Sequence, residues 1–171
     1  MFTNQARFIV CCLLALSALL AYYYEVYEIS LLGVFFIGYV IWGYYKEGTV
    51  VLAARKYKNG QYEESKELLM SIKKPHLLSK RRLPYYEFIL GSIGLKQMDY
   101  SQAEQHLSKA AVLGLRAGDI IAALLHLANI ALRNQEREKG MAWIAEARKM
   151  PLSSRQKSIL ENIEKELLKV K

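Results

Sequence analysis

Cysteine, histidine and charge are each sparse or unevenly spread in this 171-residue sequence. The only cysteines, Cys11 and Cys12, are adjacent, and adjacent cysteines form a disulfide only with strain. The histidines are His76, His106 and His126, which fall on separate predicted elements without the spacing of metal ligands. No glycine-rich loop follows a predicted strand. We therefore expect no catalytic activity, no bound metal and no cofactor.

Charge is absent from residues 8–24 and again from residues 29–45. Each run has 17 residues, about 25 Å as an α-helix, slightly less than the ~30 Å hydrocarbon core of a bilayer. Flanking side chains such as Arg7 and Lys46 can make up such a shortfall by snorkelling. Residues 1–47 are therefore interpreted as a membrane anchor with two antiparallel transmembrane helices.

A cleaved signal peptide is the alternative for the first apolar run. Leu19, however, is too large for the position three residues before a cut after Ala21. The anchor is the preferred interpretation, and its orientation follows from the flanking charges. Glu25 and Glu28 lie between the runs, whereas basic residues precede the first run and follow the second. The positive-inside rule then predicts that both termini and the rest of the chain lie in the cytoplasm. We expect an integral protein of a bacterial inner membrane.

Basic residues are in excess in the rest of the chain. Residues 46–171 carry 23 Lys and Arg against 14 Asp and Glu. Half of the segment 73–82, here called the basic insertion, is basic: Lys73, Lys74, Lys80, Arg81 and Arg82. An ordinary solvated turn and a contact with anionic lipid headgroups are both compatible with it. Nucleic acid is not expected as a partner, because no aromatic residues are interleaved with the basic ones.

One stretch, residues 84–117, has small and large apolar positions spaced as two packed helices require. These positions are Leu90, Gly91, Tyr100, Ala103, Leu107 and Ala110. The small residues let two helix backbones approach closely, and the large ones fill the space towards a neighbouring pair. With this pattern the stretch resembles one tetratricopeptide repeat, a pair of antiparallel helices. Residues 101–104 (Ser-Gln-Ala-Glu) predict a capping box at the start of its second helix.

The pattern recurs, so that repeats cover about 46–79, 84–117 and 121–154. The copies are spaced by 38 and 37 residues, instead of the family's roughly 34. Met98 stands where the first copy has the turn glycine Gly60, and Arg137 replaces an aromatic residue in the third copy. A generic bundle of helical hairpins is the alternative.

The expected fold is all-α. The transmembrane hairpin, with helices at about 8–24 and 29–45, is followed by a domain over residues 48–171. The resemblance implies that this domain is a right-handed α-solenoid of three tetratricopeptide-like helix pairs. An apolar stripe over 155–170 predicts a capping helix that covers the last pair, with a docking helix for a partner as the alternative.

In the tetratricopeptide family the first helix of each pair lines a concave groove. The resemblance implies these partner-binding positions: Tyr57, Tyr85, Phe88, Ser92, Leu95, Leu125, Asn129 and Leu132. Such a groove is largely apolar, which favours an apolar peptide or helix as the ligand. The carboxylate clamp of the family's chaperone-binding members is missing, because Val50, Ala54, Ala122 and His126 occupy its positions.

These observations predict a membrane-anchored interaction scaffold or adaptor that presents its repeats at the cytoplasmic face. A peripheral element that binds anionic lipid and a structural subunit of a membrane complex are the alternatives. The identity of the partner and the oligomeric state do not follow from the sequence.

Overall fold

The computed structural model describes residues 4–47 and 49–169, and within these residues all regular secondary structure is helical. The helices are α1 (Asn4–Tyr23), α2 (Tyr27–Glu47), α3 (Val50–Lys58), α4 (Tyr62–Met70), α5 (Leu83–Lys96), α6 (Tyr100–Leu113), α7 (Ala117–Arg133), α8 (Arg137–Arg148) and α9 (Ser154–Lys169). A 3₁₀ turn, Pro75–Leu77, lies in the basic insertion. The expectation of an all-α fold is therefore confirmed for the described residues.

Helices α1 and α2 form a hairpin, and their closest approach is at Gly33. A Cβ atom at Gly33 would lie 2.9 Å from the Cβ of Ala18, which is buried. Among the residues that the structure describes, no helix has both the length and the apolar character needed to cross a membrane. The prediction of transmembrane helices at 8–24 and 29–45 is therefore wrong. The helices themselves have 20 and 21 residues, but the uncharged run within each has only 17, fewer than the roughly 20 apolar residues that a spanning helix needs.

Three further predictions depended on those transmembrane helices and are corrected with them. The chain was expected to be an integral protein of a bacterial inner membrane, to have the membrane as an integral partner, and to hold both termini in the cytoplasm. The finding on helix length and apolarity removes the basis of all three.

The turn inside each of the following helix pairs has the same geometry. Gly60, Met98 and Gln135 lie in the left-handed region, with φ of 79°, 62° and 61°. Each donates its backbone N–H to the carbonyl three residues earlier, and the next residue donates to the carbonyl five residues earlier. This is the Schellman arrangement, which satisfies carbonyls at the end of the first helix. The same turn also joins α1 to α2 at Glu25, where φ is 62°. The pairs α3–α4, α5–α6 and α7–α8 therefore form a repeat-like array, but the turn itself is common to all four hairpins.

Small residues set the distance between α5 and α6. A Cβ atom at Gly91 would lie 2.7 Å from Cγ of Leu107 and 3.1 Å from the carbonyl oxygen of Ala103. A Cβ atom at Gly94 would lie 3.3 Å from that of Ala103. Ala103 and Leu107 are fully buried. These helices therefore pack at a distance that larger residues would prevent.

The second helix of this pair begins differently from the prediction. The N-cap of α6 is Asp99, whose carboxylate accepts a hydrogen bond from the backbone N–H of Gln102 at 3.1 Å. Ser101 already lies in the first turn of the helix, so the predicted capping box over 101–104 is wrong. An aspartate at the N-cap satisfies one of the free N–H groups as well as a serine does.

Buried apolar residues form three clusters along the array. The first cluster joins α3, α4, α5 and Leu78 of the basic insertion. The middle cluster joins α6 to α7. The C-terminal cluster joins α7 and α8 to α9 through Leu160 and Leu167. Leu167 is so close to α8 that a Cβ atom at Gly140 would lie 2.6 Å from it. Helix α9 therefore covers the last pair.

Candidate interaction surfaces

Helix α5 carries the central part of the predicted groove. Phe88 is half-buried and packs against both the first and the middle cluster. Leu95 is half-buried against the middle cluster, whereas Ser92 is buried and donates a hydrogen bond to the carbonyl of Phe88 at 2.8 Å. Ser92 is therefore part of the helix packing and does not offer its hydroxyl to a ligand. Phe88 and Leu95 keep part of their apolar surface accessible.

A hydrogen bond joins the start of this face to α7. The Tyr85 hydroxyl donates to Oδ2 of Asp119 at 2.8 Å, and both side chains are half-buried. Burial, followed by this hydrogen bond, raises the pKa of Tyr85 above its ordinary value. The tyrosine therefore remains a neutral donor, and the bond fixes the first helices of two successive pairs to each other.

The remaining groove positions lie on α3 and α7. Tyr57 is half-buried, with its ring 5.5 Å from that of Tyr62. Leu125 and Leu132 are half-buried against the C-terminal cluster, and Asn129 between them is exposed. Seven of the eight predicted positions thus keep some accessible surface, Ser92 being the exception.

A cleft of about 450 Å³ lies among α6, α7 and α8, away from the predicted groove positions. Its apolar lining is Ala111, Val112, Ile120, Leu124, Ala142 and Trp143. Lys139 and Glu146 also line it, and Lys139 is ion-paired with Glu104 and Glu136. Hydrogen bonds to these two carboxylates raise the pKa of Lys139, so it stays charged.

Sequence reasoning missed this cleft, because the family pattern assigns binding to the first helices only. One signal was present. Ala103, Leu107 and Ala110 mark one face of α6 by their spacing, and Val112 is a large apolar residue off that face. In the structure those three residues are buried and Val112 is 84% exposed.

Part of the basic insertion contributes to the fold. Lys73, Lys74, Lys80 and Arg81 are exposed. Arg82 is half-buried and pairs with Glu47 at the end of α2, with Nε 2.7 Å and Nη2 2.6 Å from Oε2. Arg82 therefore differs from the other four predicted residues, because its guanidinium is already paired with a carboxylate.

Two of the histidines take part in contacts between helices or lie half-buried among them. Nδ1 of His106 lies 2.6 Å from Oε2 of the buried Glu87, a contact between α6 and α5. Burial, with repulsion from Lys96 second, lowers the pKa of His126. Within the described part of the chain, no group of His, Cys, Asp and Glu could hold a metal ion. These histidines are accounted for by helix packing.

Comparison with known proteins does not indicate a function, so a proposal has to be argued from the surfaces described above. No protein-family model, no curated protein and no solved structure matches this chain. The likeness to tetratricopeptide repeats therefore depends on the residue pattern of the chain, and the recurring turn at Gly60, Met98 and Gln135 is compatible with it.

Proposed function

We propose that the chain is a tetratricopeptide-like interaction module that binds an apolar peptide or helix of a partner protein. The observation that carries this proposal is a set of half-buried side chains at the predicted positions on α3, α5 and α7, here called the row. Its members are Tyr57, Tyr85, Phe88, Leu95, Leu125 and Leu132. Phe88 is central to it, because the ring is supported by two core clusters yet remains partly accessible. A supported aromatic ring loses little conformational entropy on binding, and such residues supply much of the energy in interfaces.

Polar groups beside this row suit a peptide. Asn129 is exposed on α7 between Leu125 and Leu132, and its amide can both donate to and accept from a peptide backbone. A few oriented hydrogen bonds within an apolar surface give specificity, while the apolar contacts give most of the affinity. The row therefore has the composition expected of a peptide-binding face.

The cleft among α6, α7 and α8 is the competing location for the same function. It is a defined concavity with a mainly apolar lining. The row on the first helices is preferred because its members are distributed over three first helices, whereas the cleft lies in one part of the array. An extended or helical peptide needs that length of contact.

The test compares two arginine substitutions at exposed positions. Peptides are selected from a random library on the full chain, and their affinity is measured for Asn129→Arg and for Val112→Arg. Both residues are exposed, so neither change disturbs the core, and thermal melting verifies that the variants fold. We expect Asn129→Arg to weaken binding at least tenfold, because the long cation obstructs an apolar face. Val112→Arg should leave the affinity unchanged.

The opposite pattern would place the peptide in the cleft and contradict the assignment to the first helices. Peptides that bind both variants as tightly as the unmodified chain would contradict the proposed function at either surface. Phe88→Leu is a useful third variant, since it removes the aromatic anchor but keeps most of the buried volume. We expect it to weaken binding while changing the melting temperature little.

A further inference from the structure

The α1–α2 hairpin has large apolar side chains on all sides. Leu31, Leu32, Val34, Phe35 and Phe36 follow one another along α2 and are all exposed, Phe35 by 69%. The side of α2 that meets α1 is the one around the buried Gly33. An exposed apolar surface of this extent marks a place where a protein meets another phase or another molecule.

The basic insertion is fixed beside the end of this hairpin. The backbone N–H of Ser79 donates to the carbonyl of Lys46 at 2.8 Å, and Arg82 pairs with Glu47. These bonds place the end of the insertion, with the exposed Lys80 and Arg81, next to the last turn of α2. Lys46, in that turn, is also exposed, with Nζ 5.7 Å from the centre of the Trp42 ring. An apolar surface and a cluster of cations are therefore adjacent.

We propose that the hairpin and the basic insertion together form a docking surface for an anionic phospholipid bilayer. Lys73, Lys74, Lys80 and Arg81 meet the phosphate groups, while the apolar side chains of the hairpin are buried among the acyl chains of one leaflet. Binding at an interface does not require a helix to cross the bilayer. Juxtaposed basic residues strengthen it through the negative surface potential of anionic lipids.

Two observations favour lipid over a second copy of the chain. Acyl chains conform to side chains that project in every direction, whereas one rigid partner covers a single side of the hairpin. A second copy also carries a net charge of +8, and the acidic residues that its own hairpin offers outside the end of α2 are Glu25 and Glu28. Two carboxylates are fewer than the four exposed cations of the insertion.

Trp42 provides a natural reporter for this surface. It is exposed on α2, and the other tryptophan of the sequence is Trp143. In the full chain with Trp143→Phe, all tryptophan emission comes from Trp42. Titration with vesicles of phosphatidylglycerol and phosphatidylcholine should shift this emission to shorter wavelength. Vesicles of phosphatidylcholine alone should require at least a tenfold higher lipid concentration, and added salt should reduce the difference.

Matched charge reversals test the role of the basic insertion. The first variant changes Lys73, Lys74, Lys80 and Arg81 to glutamate and leaves Arg82 in its ion pair. The control variant makes four equal changes at exposed basic residues of α6 and α9: Lys109, Arg155, Lys157 and Lys165. Net charge is then identical in both. We expect the first variant to bind anionic vesicles at least tenfold more weakly than the control.

A substitution in the hairpin tests the apolar half of the surface. Phe35→Glu places a charge on an exposed side of α2 without touching Gly33, and we expect it to reduce vesicle binding at least tenfold. Equal binding by the two charge-reversal variants would overturn the proposal. A Trp42 shift that depends on protein concentration and not on lipid would also overturn it, in favour of a second copy. The peptide-binding proposal is independent, because Asn129→Arg should leave vesicle binding unchanged.

Discussion

Replacing Met98 by glycine should stabilise the protein, because Met98 has the left-handed backbone conformation that glycine adopts without strain. Its φ is 62°, a conformation in which Cβ is crowded by the backbone. For a residue other than glycine that conformation costs about 1–2 kcal/mol. Glycine removes the crowding but loses about 0.5–1 kcal/mol through the greater freedom of the unfolded chain. Met98 is 73% exposed, so the substitution removes little packing.

The free energy of unfolding of Met98→Gly should therefore rise by about 0.5–1 kcal/mol. For a chain of this size that corresponds to an increase of about 1–4 °C in melting temperature. Differential scanning calorimetry on the full chain measures it. Met98→Ala is the control, because it removes the same side chain but keeps the Cβ atom, and it should leave the melting temperature nearly unchanged.

The reverse change tests the same reasoning at an equivalent turn. Gly60 has φ of 79° with no atom within 4 Å of a built Cβ, so Gly60→Ala meets backbone strain without a steric clash elsewhere. It should lose about 1 kcal/mol. If Met98→Gly were no more stable than Met98→Ala, or if Gly60→Ala were neutral, strain at the recurring turn would not be the relevant quantity.

Two further predictions concern the core. Gly91→Ala should lower the free energy of unfolding by about 1–3 kcal/mol through overpacking, because its Cβ would lie 2.7 Å from Cγ of Leu107. Chemical denaturation measures this loss. Gly118→Ala is the control, since it has open space around it, and it should be neutral or stabilising in the same assay. Since burial and Lys96 lower the pKa of His126 below 6.5, the unfolded chain takes up its proton more readily than the folded chain. The contribution of His126 to stability should therefore be fully present above about pH 6.5 and be lost as the pH falls towards the lower folded-state pKa. His126→Gln should make the free energy of unfolding depend less on pH in this range. An unchanged dependence would exclude His126 as its source.

Local patterns in the sequence predicted the helices, because their signals act over a few residues. The small residues Gly91 and Ala103 indicated a close helix approach. The turn at Gly60 could be predicted for the same reason, since a left-handed residue favours glycine. Met98 occupies the same conformation against its own preference, so only the spacing of the copies pointed to it.

Contacts between distant residues could not be predicted in this way. The pair Arg82–Glu47 joins residues 35 positions apart, and the sequence presented Arg82 only as one of five basic residues. The cleft beside Val112 arises from the relative placement of three helices. The apolar runs at 8–24 and 29–45 were long enough to predict helices but lay at the lower limit of length for crossing a bilayer, where the prediction proved wrong.

The central claim is that the half-buried apolar row on the first helices binds a peptide or helix of a partner. Amide hydrogen exchange of the full chain, with and without a selected peptide, tests it most directly because it locates the contact along the sequence. The account predicts added protection on α5 around Tyr85 and Phe88 and on α7 around Asn129. Protection confined to Val112 on α6 and Trp143 on α8, with none on α5, would contradict it.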